Sequence, residues 1–291
     1  MQIITLTSDI GQRDYYIASV KGMIYKKIPG AQIVYITHEV RPFDNLEAAY
    51  HLRSCFESFP DGTIHIMGVD AEPLLPSSTL SPYLENAISF PTIVIFKSQY
   101  FISNDNGFIG AFLGDDVPDR VYRYVPEPSQ EGHLIFTMRD CFVDLALKIS
   151  QKTPFTSFCT EVESYKRAFV QAPLIEKNQI QGAVIHIDAF GNIITNILKS
   201  DFERYGEKTP FIISYIKRSN DIDTLSKAYN EVPIGERLAI FNTNNRLEIA
   251  INQGANEGNG GANKLFGVRL GEIVRVTFYP AGSITTLNEM Y

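Results

Sequence analysis

Two aspartates stand where short apolar runs end: Asp9 follows Ile3-Ile4-Thr5-Leu6, and Asp70 follows the run that closes at Val69. Thr37-His38-Glu39 follows a second such run, and Asn104-Asp105-Asn106-Gly107 a further one. In an open α/β sheet the carboxyl ends of the strands form the rim where ligands bind, so carboxylates in these places can hold hydroxyls or a cation, or orient a water. Each aspartate taken alone also fits a plainer role, closing an Asx turn or capping the next helix. His38 fits a hydrogen-bonded structural role, because no Cys, Asp or second His stands near it at metal-ligand or triad spacing. His51, on a helical face, and His65, inside a strand, carry less weight, and no metal site is expected.

The densest polar cluster of the second half is Ile187-Asp188-Ala189-Phe190-Gly191-Asn192-Ile193-Ile194-Thr195-Asn196. It reads in two ways. One is a β-turn in which Asp and Asn side chains satisfy their own backbone around a glycine. The other is a pocket in which Phe190 stacks on a flat ring, Asn192 bonds its edge and Asp188 holds an ammonium group. The glycines at 254, 258, 260 and 261 lie among asparagines without a strand-to-helix context, which predicts a flexible hairpin tip and not a phosphate cradle.

The elements that must position these residues alternate at first. Residues 3–6 form a strand pattern, and residues 16–28 carry Ile17, Val20, Ile24 and Ile28 at helical spacing before Pro29-Gly30. A strand at 33–36, a helix lined by Leu46, Ala49, Phe56 and Phe59, and a strand at 63–69 follow. Residues 92–96 and 100–103 form a hairpin about Lys97-Ser98-Gln99, and residues 139–149 a last helix. From Ile180 onward only short strands are indicated. The expected architecture is an α/β N-terminal domain with a mostly parallel, helix-covered sheet over residues 1–165, and a small all-β C-terminal barrel over 166–291.

The chain has 291 residues, with 26 Lys plus Arg against 33 Asp plus Glu and a net charge of -7, so no basic field draws in a nucleic acid. Its apolar runs are far shorter than the roughly 20 residues of a membrane span. Three cysteines, Cys55, Cys141 and Cys159, together with a start that runs straight into a strand, point to a reducing, cytoplasmic setting.

Taken together, Thr5-Leu6-Thr7-Ser8-Asp9-Ile10-Gly11, Ile36-Thr37-His38-Glu39-Val40, Val69-Asp70, Asp105-Asn106-Gly107, Ile187-Asp188 with Phe190-Gly191-Asn192 and Thr195-Asn196, and Leu247-Glu248-Ile249-Ala250 resemble the S-adenosylmethionine hydroxide adenosyltransferase family, which is similar to fluorinases and chlorinases. The resemblance implies an α/β domain plus a β-barrel and a homotrimer, with each site between the N-terminal domain of one subunit and the C-terminal domain of its neighbour. It implies Asp9 on the ribose hydroxyls, Phe190 and Asn192 on the adenine, and Asp188 with Thr243 at the methionine end of a small nucleoside substrate. No cofactor is implied. The reaction it implies is displacement at the ribose 5′ carbon by water or hydroxide, with Asp70 and Thr137 facing the nucleophile.

The chain departs from that pattern at the nucleophile. Water-using members carry an Arg seven residues after the Asp and a His in Phe-His-Gly-Arg-Asp. Here Ser77 stands at the first position and Phe136-Thr137-Met138-Arg139-Asp140 forms the second segment, with His133 four residues too early. Halogenating relatives place a small hydroxyl residue where Met138 falls and an aromatic where Ile194 falls, and a Met thioether donates no hydrogen bond to a halide. The expected function is therefore S-adenosylmethionine hydrolysis through an altered water site. The alternatives are a binding protein that has lost the chemistry, or use of another nucleophile or adenosyl compound.

Overall fold

The computed structural model describes residues 1–76, 82–126, 134–206, 209–255 and 260–280. Ser77, His133 and the glycine at 258 lie outside the described residues. The chain divides into two compact units, Met1–Val170 and Gln171–Tyr291.

The first unit runs β1 (Ile3–Ser8), α1 (Tyr16–Lys27), β2 (Gln32–Thr37), α2 (Asn45–Cys55), β3 (Ile64–Gly68), β4 (Pro91–Phe96), β5 (Gln99–Asn104), α3 (Phe108–Leu113), β6 (Arg120–Arg123), a π-helical turn (Met138–Phe142) continuing into α4 (Val143–Ser150), and β7 (Thr160–Glu161). Ile17, Val20 and Ile24 turn one face of α1 into the core, each worth about 1.5–3 kcal/mol when fully buried. Lys26 and Lys27 in its last turn suit the negative end of the helix dipole. Asp44 caps α2, its carboxylate accepting from the Glu47 amide at 2.9 Å.

The strand order is β2-β1-β3-β5-β4-β6-β7. The sheet is mixed, not mostly parallel. β1 pairs in parallel with β2 and β3, and β3 with β5, whereas β4 runs antiparallel to both β5 and β6, and β6 to β7. The cause is the hairpin about Lys97 and Ser98, both at positive φ, which returns β5 into the sheet between β3 and β4. The helix expected at 139–149 begins with the π-helical turn.

One buried contact set fixes a tautomer. Gln99 Nε2 donates to the Phe56 and Phe59 carbonyls at 3.2 and 3.1 Å, so Gln99 Oε1 must accept from His65 Nε2, 2.6 Å away. His65 Nδ1 then accepts from the Thr5 hydroxyl at 2.7 Å. Burial lowers the His65 pKa to about 4.

The second unit contains β8 (Leu174–Ile175), β9 (Gln179–Ile187), β10 (Ile193–Leu198), α5 (Lys199–Glu203), β11 (Phe211–Ser214), β12 (Arg237–Phe241), β13 (Arg246–Ile251), α6 (Ala262–Phe266) and β14 (Ile273–Phe278). Its antiparallel order is β11-β14-β9-β10-β13-β12, with β8 beside β9. The expected barrel is an open half-barrel: Ile213 of β11 and Ala239 of β12, from opposite edges, share one core with Ile193, Ile249 and Val276, yet no ladder joins those edges among the described residues. No helix among the described residues is long and apolar enough to cross a membrane.

A histidine held neutral in the fold binds protons less well than in the unfolded chain. Stability is therefore complete above about pH 6.5 and falls as the pH drops toward 4, by on the order of 3 kcal/mol for a pKa lowered to about 4. Urea denaturation at pH 7 and pH 4.5 is expected to show this loss, and His65→Gln to reduce the difference between the two pH values.

Candidate functional site

The parallel part of the sheet ends with its polar residues in register. Ser8, the last residue of β1, lies opposite Gly68, the last of β3, so Asp9 and Asp70 leave the sheet from neighbouring strand ends. Asp9 is tied down at once: its Oδ2 accepts from the Phe43 amide at 2.9 Å. Phe43 holds a φ of +63°, costly for an aromatic residue, and its ring is 75% exposed. It borders a cavity of 430 Å³ lined also by Pro42, Asn45, Leu46 and Phe169. Sequence reasoning missed Phe43. An aromatic after a proline carries no signal of its own, and its importance comes from the Asp9 contact.

Asp70 also sits in the left-handed region, at φ +45°. Asn106, just past β5, reaches across: its Nδ2 donates to the Asp70 carbonyl at 2.8 Å and the Val69 carbonyl at 3.2 Å, and lies 3.5 Å from Asp70 Oδ2. Asp105 beside it is buried, with its pKa raised by desolvation, and its Oδ1 accepts from the Lys166 amide at 2.8 Å. That bond ties the 166–168 segment to the β5–α3 turn. Gly110 is required there, since a Cβ would lie 2.6 Å from the Arg167 Cα.

His38 is buried. Its Nδ1 shares a 2.7 Å hydrogen bond with Ser8 Oγ, its Nε2 has no partner among the described residues, and burial followed by the Lys21 charge lowers its pKa to about 4. It is a neutral structural ring at the rim. Thr137 is buried too, and its hydroxyl donates to the Leu134 carbonyl. Met138 lies over the end of β3, where a Cβ on Gly68 would come within 2.3 Å of its sulfur.

In the second unit the 188–192 segment is the tight turn between β9 and β10. Asp188 Oδ1 accepts from the amides of Phe190 and Asn192, both at 2.9 Å, and its Oδ2 from Asn192 Nδ2 at 3.0 Å. Gly191 supplies the φ of +82° that the turn needs. The turn projects Phe190 with 61% of its surface exposed, while Asn192 is buried. Of the glycines expected at a flexible tip, Gly261 instead abuts the turn so closely that a Cβ would lie 2.2 Å from the Phe190 carbonyl oxygen, and the Asn263 amide donates to the Gly191 carbonyl at 2.9 Å.

Cross-strand register puts His186, Ile194, Glu248 and Ile240 in a row on the sheet face opposite the core. Glu248 is buried among them. Tyr229 Oη donates to its Oε1 at 2.7 Å and Asn242 Nδ2 to its Oε2 at 3.2 Å. Its pKa is raised, first by desolvation and also by the charge of Asp188. Asn242 Oδ1 accepts in turn from the amides of Asn244 and Arg246, at 3.0 and 3.2 Å, shaping the hairpin turn that carries exposed Thr243. Asp188, Phe190 and Asn192 thus form one cluster, and Thr243 stands on a separate turn bonded through Asn242 to Glu248. In sequence Glu248 belongs to the Leu247-Glu248-Ile249-Ala250 run that carries the resemblance, and its burial appears only in the fold.

Comparison with known proteins follows this division. Residues 4–159 match the SAM hydroxide adenosyltransferase N-terminal domain, and residues 182–275 its C-terminal domain. The chain is 26% identical over 233 residues to the (R)-S-adenosyl-L-methionine hydrolase of Methanocaldococcus jannaschii, covering 78% of each chain. It is 24% identical to that of Thermus thermophilus, covering 95% of this chain and all of the relative. A fluorinase from an Actinoplanes species is 36% identical over 70% of this chain and 74% of its own. In fold, a conserved protein from Thermotoga maritima superposes with a TM-score of 0.77 at 24% identity, over 95% of this chain and 100% of that one.

Gly261→Ala is expected to destabilise the protein by about 1–3 kcal/mol, because the atoms it meets are backbone and cannot yield. Gly22→Ala, in open space on α1, is expected to stabilise by about 0.5–1 kcal/mol. Paired chemical denaturation curves check both.

Proposed function

The chain belongs to the SAM hydroxide adenosyltransferase family, and on that premise we propose that it is an S-adenosylmethionine hydrolase releasing adenosine and methionine. The observation that carries this reading is the departure of Asp9 and Asp70 from adjacent, registered strand ends, within a chain whose relatives bear the name of that activity. In the reaction a water oxygen bonds to the ribose 5′ carbon as the carbon–sulfur bond breaks. The bonding pair leaves with sulfur, which becomes the neutral thioether of methionine, and the water gives up one proton.

The sulfonium is a good leaving group without acid assistance, so the protein has to position substrate and water and exclude bulk solvent. No cofactor enters this scheme. Asp9 takes the ribose hydroxyls, and the exposed Phe43 ring and adjoining cavity support a ligand at that rim. Asp70 orients the attacking water, with Thr137 on the same side. Phe190 stacks on adenine while Asn192 bonds its edge, and Asp188 and Thr243 take the methionine end. Assembly as a homotrimer, supplying complementary halves from different copies, and a cytoplasmic location are parts of the same proposal.

A second reading has its own support. No arginine occurs between Asp70 and Arg120, and the Thr137 hydroxyl is engaged by Leu134, which favours a protein that binds the nucleoside with the water chemistry lost.

Incubation with each sulfonium epimer of S-adenosyl-L-methionine, followed by liquid chromatography, is expected to yield adenosine and methionine in equal amounts. Asp70→Ala is expected to slow release by about 10²-fold or more while leaving binding intact. Phe190→Ala is expected to weaken binding by about tenfold, as measured by calorimetry. Tight binding without product selects the second reading, and absence of both removes the nucleoside assignment. Light scattering is expected to give three times the chain mass.

A further inference from the structure

Asp70 must hold a backbone conformation that a residue with a side chain adopts at a cost, and something has to impose it. The Asn106 side chain engages both carbonyls of that turn. Its Oδ1 accepts from the Phe108 amide at 3.2 Å, at the start of α3, which orients the amide so that Nδ2 faces Asp70. Nδ2 then bridges two successive carbonyls, those of Val69 and Asp70, and reaches toward the Asp70 carboxylate itself. Gly107, at φ +104°, turns the chain immediately after and carries it into α3.

We propose that Asn106 is the positioning residue of the water site, clamping the left-handed turn at Asp70 through the Val69 and Asp70 carbonyls with its neutral amide close to the carboxylate. This rests on the hydrolase reading. The clamp acts through the backbone: by holding both carbonyls it fixes where the Asp70 side chain leaves the chain, and so the direction from which the carboxylate meets a water. Asn106→Asp is nearly isosteric but cannot donate, and it places a second negative charge beside the first.

The test measures adenosine release and calorimetric binding of S-adenosyl-L-methionine for wild type, Asn106→Ala, Asn106→Asp, Asp70→Asn and the Asp70→Asn/Asn106→Ala double variant, each first shown by thermal melting to be folded. Asn106→Ala is expected to lower kcat by roughly tenfold to a hundredfold with KM and binding little changed. Asn106→Asp is expected to move the acid limb of the pH–rate profile upward, since ionising Asp70 next to another carboxylate is harder. The double variant is expected to be no slower than Asp70→Asn alone, because Asn106 acts through Asp70. Undiminished kcat in both Asn106 single variants, or losses that simply multiply in the double, overturns the role of Asn106 and leaves the hydrolase reading standing. A wild-type protein that binds the substrate and releases no adenosine overturns both. Should Asn106→Ala not fold, Asn106→Asp and its pH profile decide alone.

Discussion

Where a strand stops, its backbone amides and carbonyls lose their ladder partners, and in a folded protein those groups must be satisfied by something. In this chain polar side chains placed just past the strands satisfy backbone groups of the loops around them. Asp9 accepts from the Phe43 amide, Asp105 from that of Lys166, Asp188 from those of Phe190 and Asn192, and Asn106 donates to the carbonyls on either side of the β3 exit. The plain reading of a strand-end carboxylate as a turn-former and the functional reading as a ligand group are therefore not rivals here. In Asp9 one carboxylate oxygen fixes a loop, whereas in Asp188 both oxygens are engaged within the turn.

Rigidity at these points follows from close backbone approach as much as from hydrogen bonds. Gly110 and Gly261 each lie where a methyl group would strike main-chain atoms, and Gly68 lies under the Met138 thioether. The Gly110 and Gly261 contacts are with backbone and cannot relax by a rotamer change, which helps to hold the turns at 105–110 and 188–192 in place. A preorganised site suits a displacement in which the leaving group needs little help and alignment supplies much of the acceleration.

Much of this was legible in the sequence for local reasons. α1 could be read because Ile17, Val20 and Ile24 recur at the helical period and Pro29-Gly30 ends them; the β4–β5 hairpin could be read from two alternating runs about Lys97-Ser98. The turn at 188–192 was readable as one of two possibilities because Asp, Gly and Asn carry their turn chemistry with them. Other features were not legible. The hairpin already implied one antiparallel pair, but the insertion of β5 between β3 and β4 depends on pairing between distant segments, which no local pattern records. Gly261 looked like part of a loose tip because nothing in its neighbours announces the carbonyl of Phe190, seventy-one positions earlier.

The order and type of the local elements, the strand-end placement of Asp9, Asp70 and Asn106, and the family resemblance were determined by the sequence by itself, because periodicity and turn chemistry act over a few residues. Tertiary structure alone decided that Glu248 is buried beneath Tyr229, that Phe43 is strained outward by Asp9, and that Asn106 clamps Asp70. Those facts arise from register and strand order, which bring together groups up to tens of residues apart, and no local pattern records which distant backbone atom a side chain will meet.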